Sequence, residues 1–408
     1  MKDIISNDSL YKLDPYKKLT EEQEKLKEHI FKFCYNHLKD EHAIFLINGA
    51  AGTGKSLLLS SIFNNLQNIS RSDSSNALYD TNNYLLVNHP EMLKLYKEIA
   101  GKAPNLLKKN FERPTTFINR MAKNNTRADI VLIDEAHLLL TKKDPYNHFN
   151  QDNQLEEIIK HSHIVILVFD ENQVLKFKSY WKNEKIHSFL KTIPSEFYRL
   201  TNQIRVQADE NIYEWIDAFS KGILKPLPTK QIFDFRIFDN ANEMYKLIKN
   251  QNSKYGLCRM LATYDFPYKL DGKDYYVTTD TFKLRWDRNK PHDQKPWAER
   301  PDTINEVGSV YTIQGFDLNY SGIILGPSVS YNFEKDKIVI NPDKYEDSAA
   351  YMGSSKIDYP TEAKCKIILN SINVLMTRAR KGMYIHAADI NLRKKLLSLI
   401  KSAVTNIT

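Results

Sequence analysis

Cysteine is scarce in this chain of 408 residues: three occur, Cys34, Cys258 and Cys365, far apart in sequence. That number and spacing exclude a disulfide framework and a zinc site of ordinary ligand spacing, and they make a reducing cytoplasm the expected compartment. Long hydrophobic runs are missing as well. No apolar stretch approaches the roughly 18 residues that cross a bilayer, and the opening MKDIISNDSLYKL lacks the apolar core of a secretory signal. No membrane partner is expected. Neither sign of charge is lacking: 58 Lys and Arg against 50 Asp and Glu leave a formal +8, which permits a polyanionic partner without demanding one. Glycine is sparse, with 13 in all, so a place where glycines crowd together needs a cause. The length suits two or three domains with substantial cores.

The crowding occurs in IFLINGAAGTGKSLLL, residues 44–59, which holds Gly49, Gly52 and Gly54. The run from Ala43 to Ile47 suits a buried strand and SLLLSSIFNNL has the spacing of a one-sided helix, so the glycines stand where a strand turns into a helix. G-x-x-x-x-G-K-[ST] in that context is a phosphate-binding loop. Residues Gly49, Ala50, Ala51, Gly52, Thr53 and Gly54 present backbone N–H groups to an anion, and the helix that follows offers its positive end. Lys55 would reach the β- and γ-phosphates and Ser56 would give a hydroxyl to Mg²⁺. Downstream, ADIVLIDEAHLLL is an apolar strand ending in Asp134 and Glu135. Carboxylates at a strand's C-terminal tip lie where ligands collect in open α/β sheets. Asp134 would hold Mg²⁺, usually through water, and Glu135 would orient and deprotonate the attacking water. A third buried strand, Ile164 to Phe169, is followed by Asp170 and Gln173, and a polar side chain there is placed to sense the γ-phosphate. This order of loop, acid pair and sensor describes a RecA-like ATPase domain. Upstream, Gln23 begins an amphipathic helix, and its amide can pair with both the N6 donor and the N7 acceptor of adenine.

The second half supplies candidates for completing such a site. EFYRLTNQIRVQ offers Arg205, and NVLMTRARKGMYIH offers Arg378 and Arg380, able to neutralise charge developing on a transferred phosphoryl group. Gln314, Gly315 and Asp317 form a tight turn before the apolar strand GIILG. Residues 328–360 are polar and tyrosine-bearing and predict a solvated surface hairpin inserted between core elements. Trp286 and Trp297 flank the basic loop DRNKPHDQKP, where they could stack bases, although buried, packing tryptophans are the commoner case.

Taken in order, LTEEQ, GAAGTGKS, VLIDEAH, FDENQ, LTNQIR, TIQGFD and VLMTRAR resemble the motif series of superfamily 1 helicases. Residues 305–327, CRMLATY at 258–264 and NVLMTRARKGMYIHAAD resemble more closely the Schlafen group 3-like DNA/RNA helicase domain family. The resemblance runs from about residue 19 to about residue 400. The letters DEAH at 134–137 occur also in superfamily 2 helicases, whose glycine- and arginine-rich last motif is absent here; TRAR stands in its place.

The resemblance implies an α/β P-loop NTPase of two tandem RecA-like domains with mainly parallel sheets, residues 1–206 and 207–408. It implies ATP and Mg²⁺ as cofactors, Gln23 at adenine, Lys55 and Ser56 at phosphate and metal, and Asp134 and Glu135 at metal and water. Gln173 is implied as γ-phosphate sensor, Arg205 and Arg378 as arginine fingers beside Arg380, and Gln314 with Gly315 as coupling residues. NHPEML at 88–93, with His89, and RPTTFINRM at 113–121, with Thr115 and Thr116, occupy the places where superfamily 1 proteins contact a nucleic-acid backbone. The expected partner is single-stranded or tailed DNA or RNA. Relatives often carry an additional nuclease domain, whereas this chain begins about 20 residues before its first motif; any cutting is expected from a partner nuclease or effector protein. Two functions stay open at this point: an ATP-driven helicase or translocase, and a nucleic-acid-triggered ATPase switch that acts through a partner without unwinding.

Overall fold

The computed structural model describes residues 9–49, 52–181, 183–201, 210–228, 232–269, 271–287, 295–352 and 359–405. Ala50, Ala51 and Arg205, expected at the site, lie outside them. The chain forms two compact units, residues 1–204 and 205–408.

In the first unit, β1 (Ala43–Gly49), β2 (Asn83–Val87), β3 (Phe111–Glu112), β4 (Ala128–Asp134), β5 (Ser162–Phe169) and β6 (Ser195–Leu200) make one sheet in the order β3-β2-β4-β5-β1-β6. Every pairing in it is parallel. The strands β1, β4 and β5 are runs of Ile, Val, Leu and Phe buried along nearly their whole length. That composition is what a parallel sheet covered on both faces requires. Because all the strands run the same way, their C-terminal ends share one edge. The phosphate loop after β1, the acid pair at the end of β4, Asp170 after β5 and His89 after β2 therefore meet along that edge without any of them being close in sequence.

Four helices set the edge. Helix α1 (Glu21–His37) starts at a reciprocal cap in which Thr20 and Gln23 satisfy each other's backbone N–H groups. Helix α2 (Lys55–Ser72) begins directly at the loop lysine. Helix α3 (Pro90–Ala100) is capped by the His89 ring, and α4 (Pro114–Asn124) has proline at its first turn, where a missing N–H costs nothing.

The second unit holds a seven-stranded sheet in the order β7-β15-β12-β8-β11-β10-β9. Its strands are β7 (Asp234–Ile237), β8 (Cys258–Ala262), β9 (Tyr276–Thr278), β10 (Lys283–Trp286), β11 (Glu306–Gly308), β12 (Leu318–Leu325) and β15 (Ala379–Ala387). Only the β9/β10 pairing is antiparallel. Helix α5 (Ala241–Tyr255) packs on β8 and β12. Helices α6 (Pro360–Met376) and α7 (Ile390–Thr405) bracket β15 in the chain.

Three features here are not legible in the sequence alone. The first sheet has six strands, because Phe111–Glu112 adds an edge strand of two residues, too short to show any period. The segment 328–360 does contain a hairpin, β13 (Val329–Asn332) with β14 (Lys337–Ile340), but it is not simply solvated. Val329, Tyr331 and Ile338 are buried, β13 packs on α7, and Lys395 of that helix lies over the Tyr331 ring. Nor do the two tryptophans present faces for stacking. Trp286 is buried in the core of the second unit, and buried Trp297 donates its indole N–H to Glu306 at 2.9 Å.

Candidate nucleotide site on the first sheet

The three loop glycines answer to different needs. Gly52 and Gly54 sit at φ +94° and +77°, a region that side chains resist. Gly49 has ordinary φ but no room: a Cβ there would stand 2.9 Å from Thr53 Oγ1 and 3.1 Å from Leu200 Cβ. The turn ends in Lys55, whose Nζ donates to Gly49 O at 2.6 Å and lies 3.7 Å from Asp170 Oδ2. Gln173 Nε2 donates to the same Asp170 oxygen at 2.6 Å. Asp170 thus stands between the loop lysine and the expected sensor and fixes both. Gln23 also reaches the loop. Its Nε2 donates to Thr53 O at 3.0 Å while its Oε1 accepts from Thr20 N at 3.0 Å, and the residue is only 1 % exposed.

At the tip of β4, Asp134 Oδ1 accepts from Ser56 Oγ at 3.2 Å and from Glu135 N at 3.0 Å. Its other oxygen, Oδ2, accepts from Tyr96 Oη at 2.8 Å. Burial and the neighbouring Glu135 carboxylate push Asp134 up to about 7. Among the described residues its hydrogen-bond donors are two hydroxyls and an amide, with no lysine or arginine. A buried carboxylate beside a second carboxylate and a serine hydroxyl is a hard, anionic oxygen set, which fits Mg²⁺. Ser56 and Asp134 would hold the ion. Burial and Asp134 also raise the Tyr96 hydroxyl well above its ordinary value, so it stays protonated and acts as a donor.

Glu135 occupies the left-handed region, φ +52°, which costs a non-glycine residue about 1–3 kcal/mol. Its carboxylate Oε2 lies 3.2 Å from Nε2 of fully buried His137. His89 Nδ1 accepts from Met92 N at 3.3 Å. Burial lowers the His89 proton affinity, opposed by Glu135 and Glu91, which agrees with a neutral ring acting as a cap. Thr115 and Thr116 lie in the first turn of α4; Thr115 Oγ1 accepts from Gln154 Nε2 at 2.9 Å, and Thr116 is exposed.

The remaining expected residues belong to the second unit. Gln314 is buried and closes the short helix Val310–Ile313, followed by Gly315 at φ +85°. Arg378, 1 % exposed, donates Nε to Val374 O at 2.9 Å and Nη2 to Thr377 Oγ1 at 3.3 Å. Arg380 is half-buried at the start of β15. Tyr96 is a site residue that the motifs do not announce. The only sequence signal is its place on the buried face of an amphipathic helix, the same signal that any core residue gives.

A parallel α/β sheet with a glycine loop opening a helix and an acidic strand tip beside it defines a P-loop NTPase of RecA-like fold. The model of one family, the Schlafen group 3 DNA/RNA helicase domain, matches residues 42–389, and the chain belongs to that family. It is similar to the uncharacterized protein YPL245W of Saccharomyces cerevisiae, at 44 % identity over 97 % of this chain and 93 % of that one. Among solved structures it is distantly similar to the Pif1 helicase of Candida albicans, with 11 % identity, coverage of 96 % of this chain and 100 % of that chain, and a TM-score of 0.36. A crystal structure of a DNA replication initiation factor is also similar, with 13 % identity, coverage of 59 % and 54 %, and a TM-score of 0.26. Among the described residues no helix is long and apolar enough to cross a membrane.

Proposed function

We propose that the protein is an ATP-dependent DNA or RNA helicase, or single-strand translocase, of superfamily 1 type. The observation that carries this reading is the hydrogen bond between Ser56 Oγ and Asp134 Oδ1 at 3.2 Å, with Lys55 and Glu135 beside it on one sheet edge. It brings the loop that cradles phosphates and the carboxylates that handle metal and water to one place. Lys55 would exchange its contact with Gly49 O for phosphate oxygens. Glu135 would accept a proton from the attacking water. Gln173, held by Asp170, would register the terminal phosphate. Mg²⁺, when bound, would neutralise charge on the β- and γ-phosphates. Arg378 and Arg380, and Arg205, would serve the developing charge on the same phosphoryl group. Single-stranded DNA or RNA is the proposed partner, with His89, Thr115 and Thr116 as its contacts on the first unit; the N–H groups opening α4 suit a backbone phosphate.

The test is ATP turnover with and without single-stranded DNA and RNA, followed by displacement of one strand from a tailed duplex. Stimulated turnover with displacement is the expected result. Stimulation without displacement favours a nucleic-acid-triggered switch acting through a partner, and turnover that no nucleic acid alters removes the motor.

A further inference from the structure

Tyr96 lies on α3, outside every motif, yet its hydroxyl ends at the metal-site carboxylate. Oη stands 2.8 Å from Asp134 Oδ2 and 3.2 Å from Ser56 O. One proton serves two acceptors, with the shorter, charge-assisted contact dominant. Both acceptors belong to the residues that would hold the ion: the aspartate itself and the backbone of the serine. The contact fixes which oxygen does what. With Oδ2 engaged by Tyr96, it is Oδ1 that meets Ser56 Oγ, the second candidate ligand, and Glu135 N.

Packing determines where the hydroxyl stands. The Tyr96 ring stacks on Phe111 with centroids 5.9 Å apart at 20°, and Phe111 is met edge-on by Phe63 of α2 at 5.0 Å. Phe111 is in β3, the two-residue edge strand. Tyr96 of α3 and Phe63 of α2 therefore flank the Phe111 ring of β3, and Tyr96 is 1 % exposed. A phenol in that position has no solvent to hydrogen-bond, and a phenylalanine would fill the same space. The hydroxyl is the part that packing alone does not explain.

We propose that Tyr96 is a positioning residue for the divalent cation: by holding Asp134 Oδ2 and the Ser56 carbonyl, it orients Asp134 Oδ1 and the Ser56 hydroxyl toward the ion. The inference rests on the ATPase reading of the same site. Outer partners of metal ligands commonly contribute about 10- to 100-fold to metal affinity, and a single neutral donor belongs at the lower end.

The experiment measures Mn²⁺ binding to the protein–ADP complex by electron paramagnetic resonance, with metal-free ADP binding measured separately. Tyr96→Phe is expected to weaken Mn²⁺ binding roughly 10-fold while metal-free ADP affinity stays within about twofold. Turnover should recover at high Mg²⁺, so that the half-saturating Mg²⁺ concentration moves more than the maximal rate. Phe111→Leu keeps the hydroxyl but removes the ring it stacks on, and should move Mn²⁺ affinity in the same direction by a smaller factor. Near-ultraviolet circular dichroism checks that both variants are folded. Unchanged Mn²⁺ affinity in folded Tyr96→Phe overturns the positioning role and leaves the ATPase reading standing. Equal weakening of metal-free ADP binding overturns it too, since the residue would then be supporting the loop in general. If the unaltered protein binds neither ADP nor Mn²⁺ with ADP, the ATPase reading falls first and this inference with it.

Discussion

Gln23 offers the sharpest separation between two roles for one side chain, because its amide is already engaged before any base arrives. Nε2 donates to Thr53 O and Oε1 accepts from Thr20 N, each at 3.0 Å, in a residue only 1 % exposed. An amide has two donors and two acceptor lone pairs, so one of each remains for adenine, and the two roles can coexist. Truncation distinguishes them. Gln23→Ala deletes two buried hydrogen bonds, each contributing about 0.5–1.5 kcal/mol net, and leaves a small void. A loss of about 3 kcal/mol is therefore expected. In a unit of this size each kcal/mol moves the midpoint by about 2–4 °C, so the first unit should melt roughly 6–12 °C lower without nucleotide.

Gln23→Glu sharpens the case. It keeps an oxygen for Thr20 N but sets a carboxylate oxygen against Thr53 O where an N–H now donates. A tether predicts a loss close to that of the alanine variant; a pure base contact predicts almost none. Thermal unfolding without nucleotide, read beside ATP and GTP binding, decides the matter. If both variants melt within about 1 °C of the parent while ATP loses its advantage over GTP, the tether is wrong and the base contact is the whole role.

Glu135→Gln should retain nucleotide binding and trap ATP, whereas Lys55→Ala should weaken binding and abolish turnover; normal hydrolysis by the glutamine variant, measured as phosphate release, removes Glu135 as base. Gly49→Ala places a methyl 3.1 Å from Leu200 Cβ, which the backbone of β6 anchors, so a loss of about 1–3 kcal/mol and weaker ADP binding are expected in calorimetry. Arg378→Lys should lower turnover by roughly 10³-fold, because lysine cannot reproduce a guanidinium fork; wild-type turnover excludes Arg378 from the site. Burial raises buried Asp287 to about 6, with Ser309 N and Oγ as its donors. Its folded proton affinity exceeds the unfolded value near 3.9, so its stabilising contribution is full below pH about 4 and is lost as pH rises through about 6. Asp287→Asn should therefore match the parent in thermal unfolding near pH 4 and exceed it above pH 6, by up to about 3 kcal/mol.

The sequence announces chemistry where a backbone constraint and a reactive group fall together. Gly52, Gly54, Lys55 and Ser56 are adjacent, so their pattern survives any fold-level uncertainty, and the strand and helix flanking them are legible from period alone. The acid pair is legible for the same reason. Sheet order is not, since pairing across the sheet joins residues such as Ile133 and Leu167 whose separation in the chain carries no signal. Side-chain partnerships across elements are hidden too. Trp297 beside a basic loop invites a stacking role, and what cancels it is Glu306, nine residues on, whose buried carboxylate takes the indole N–H and also faces Arg285. Tyr96 fails to stand out for the opposite reason: its ring obeys the helix pattern so well that its hydroxyl goes unnoticed.

Glu135 shows how a strained backbone can separate chemistry from packing at one residue. At φ +52° glycine would be the unstrained choice, and the two bonds that the Glu135 backbone makes, its N to the Asp134 side-chain Oδ1 and its O from Leu138 N, need no side chain at position 135. Nothing in the turn itself therefore favours glutamate over glycine. What glutamate adds is a largely buried carboxylate next to Asp134 and against His137, in a place where negative charge is costly to fold around. A residue that strains the backbone and crowds like charge is destabilising on both counts, and that combination is the physical motive for the proposed role of its carboxylate as base.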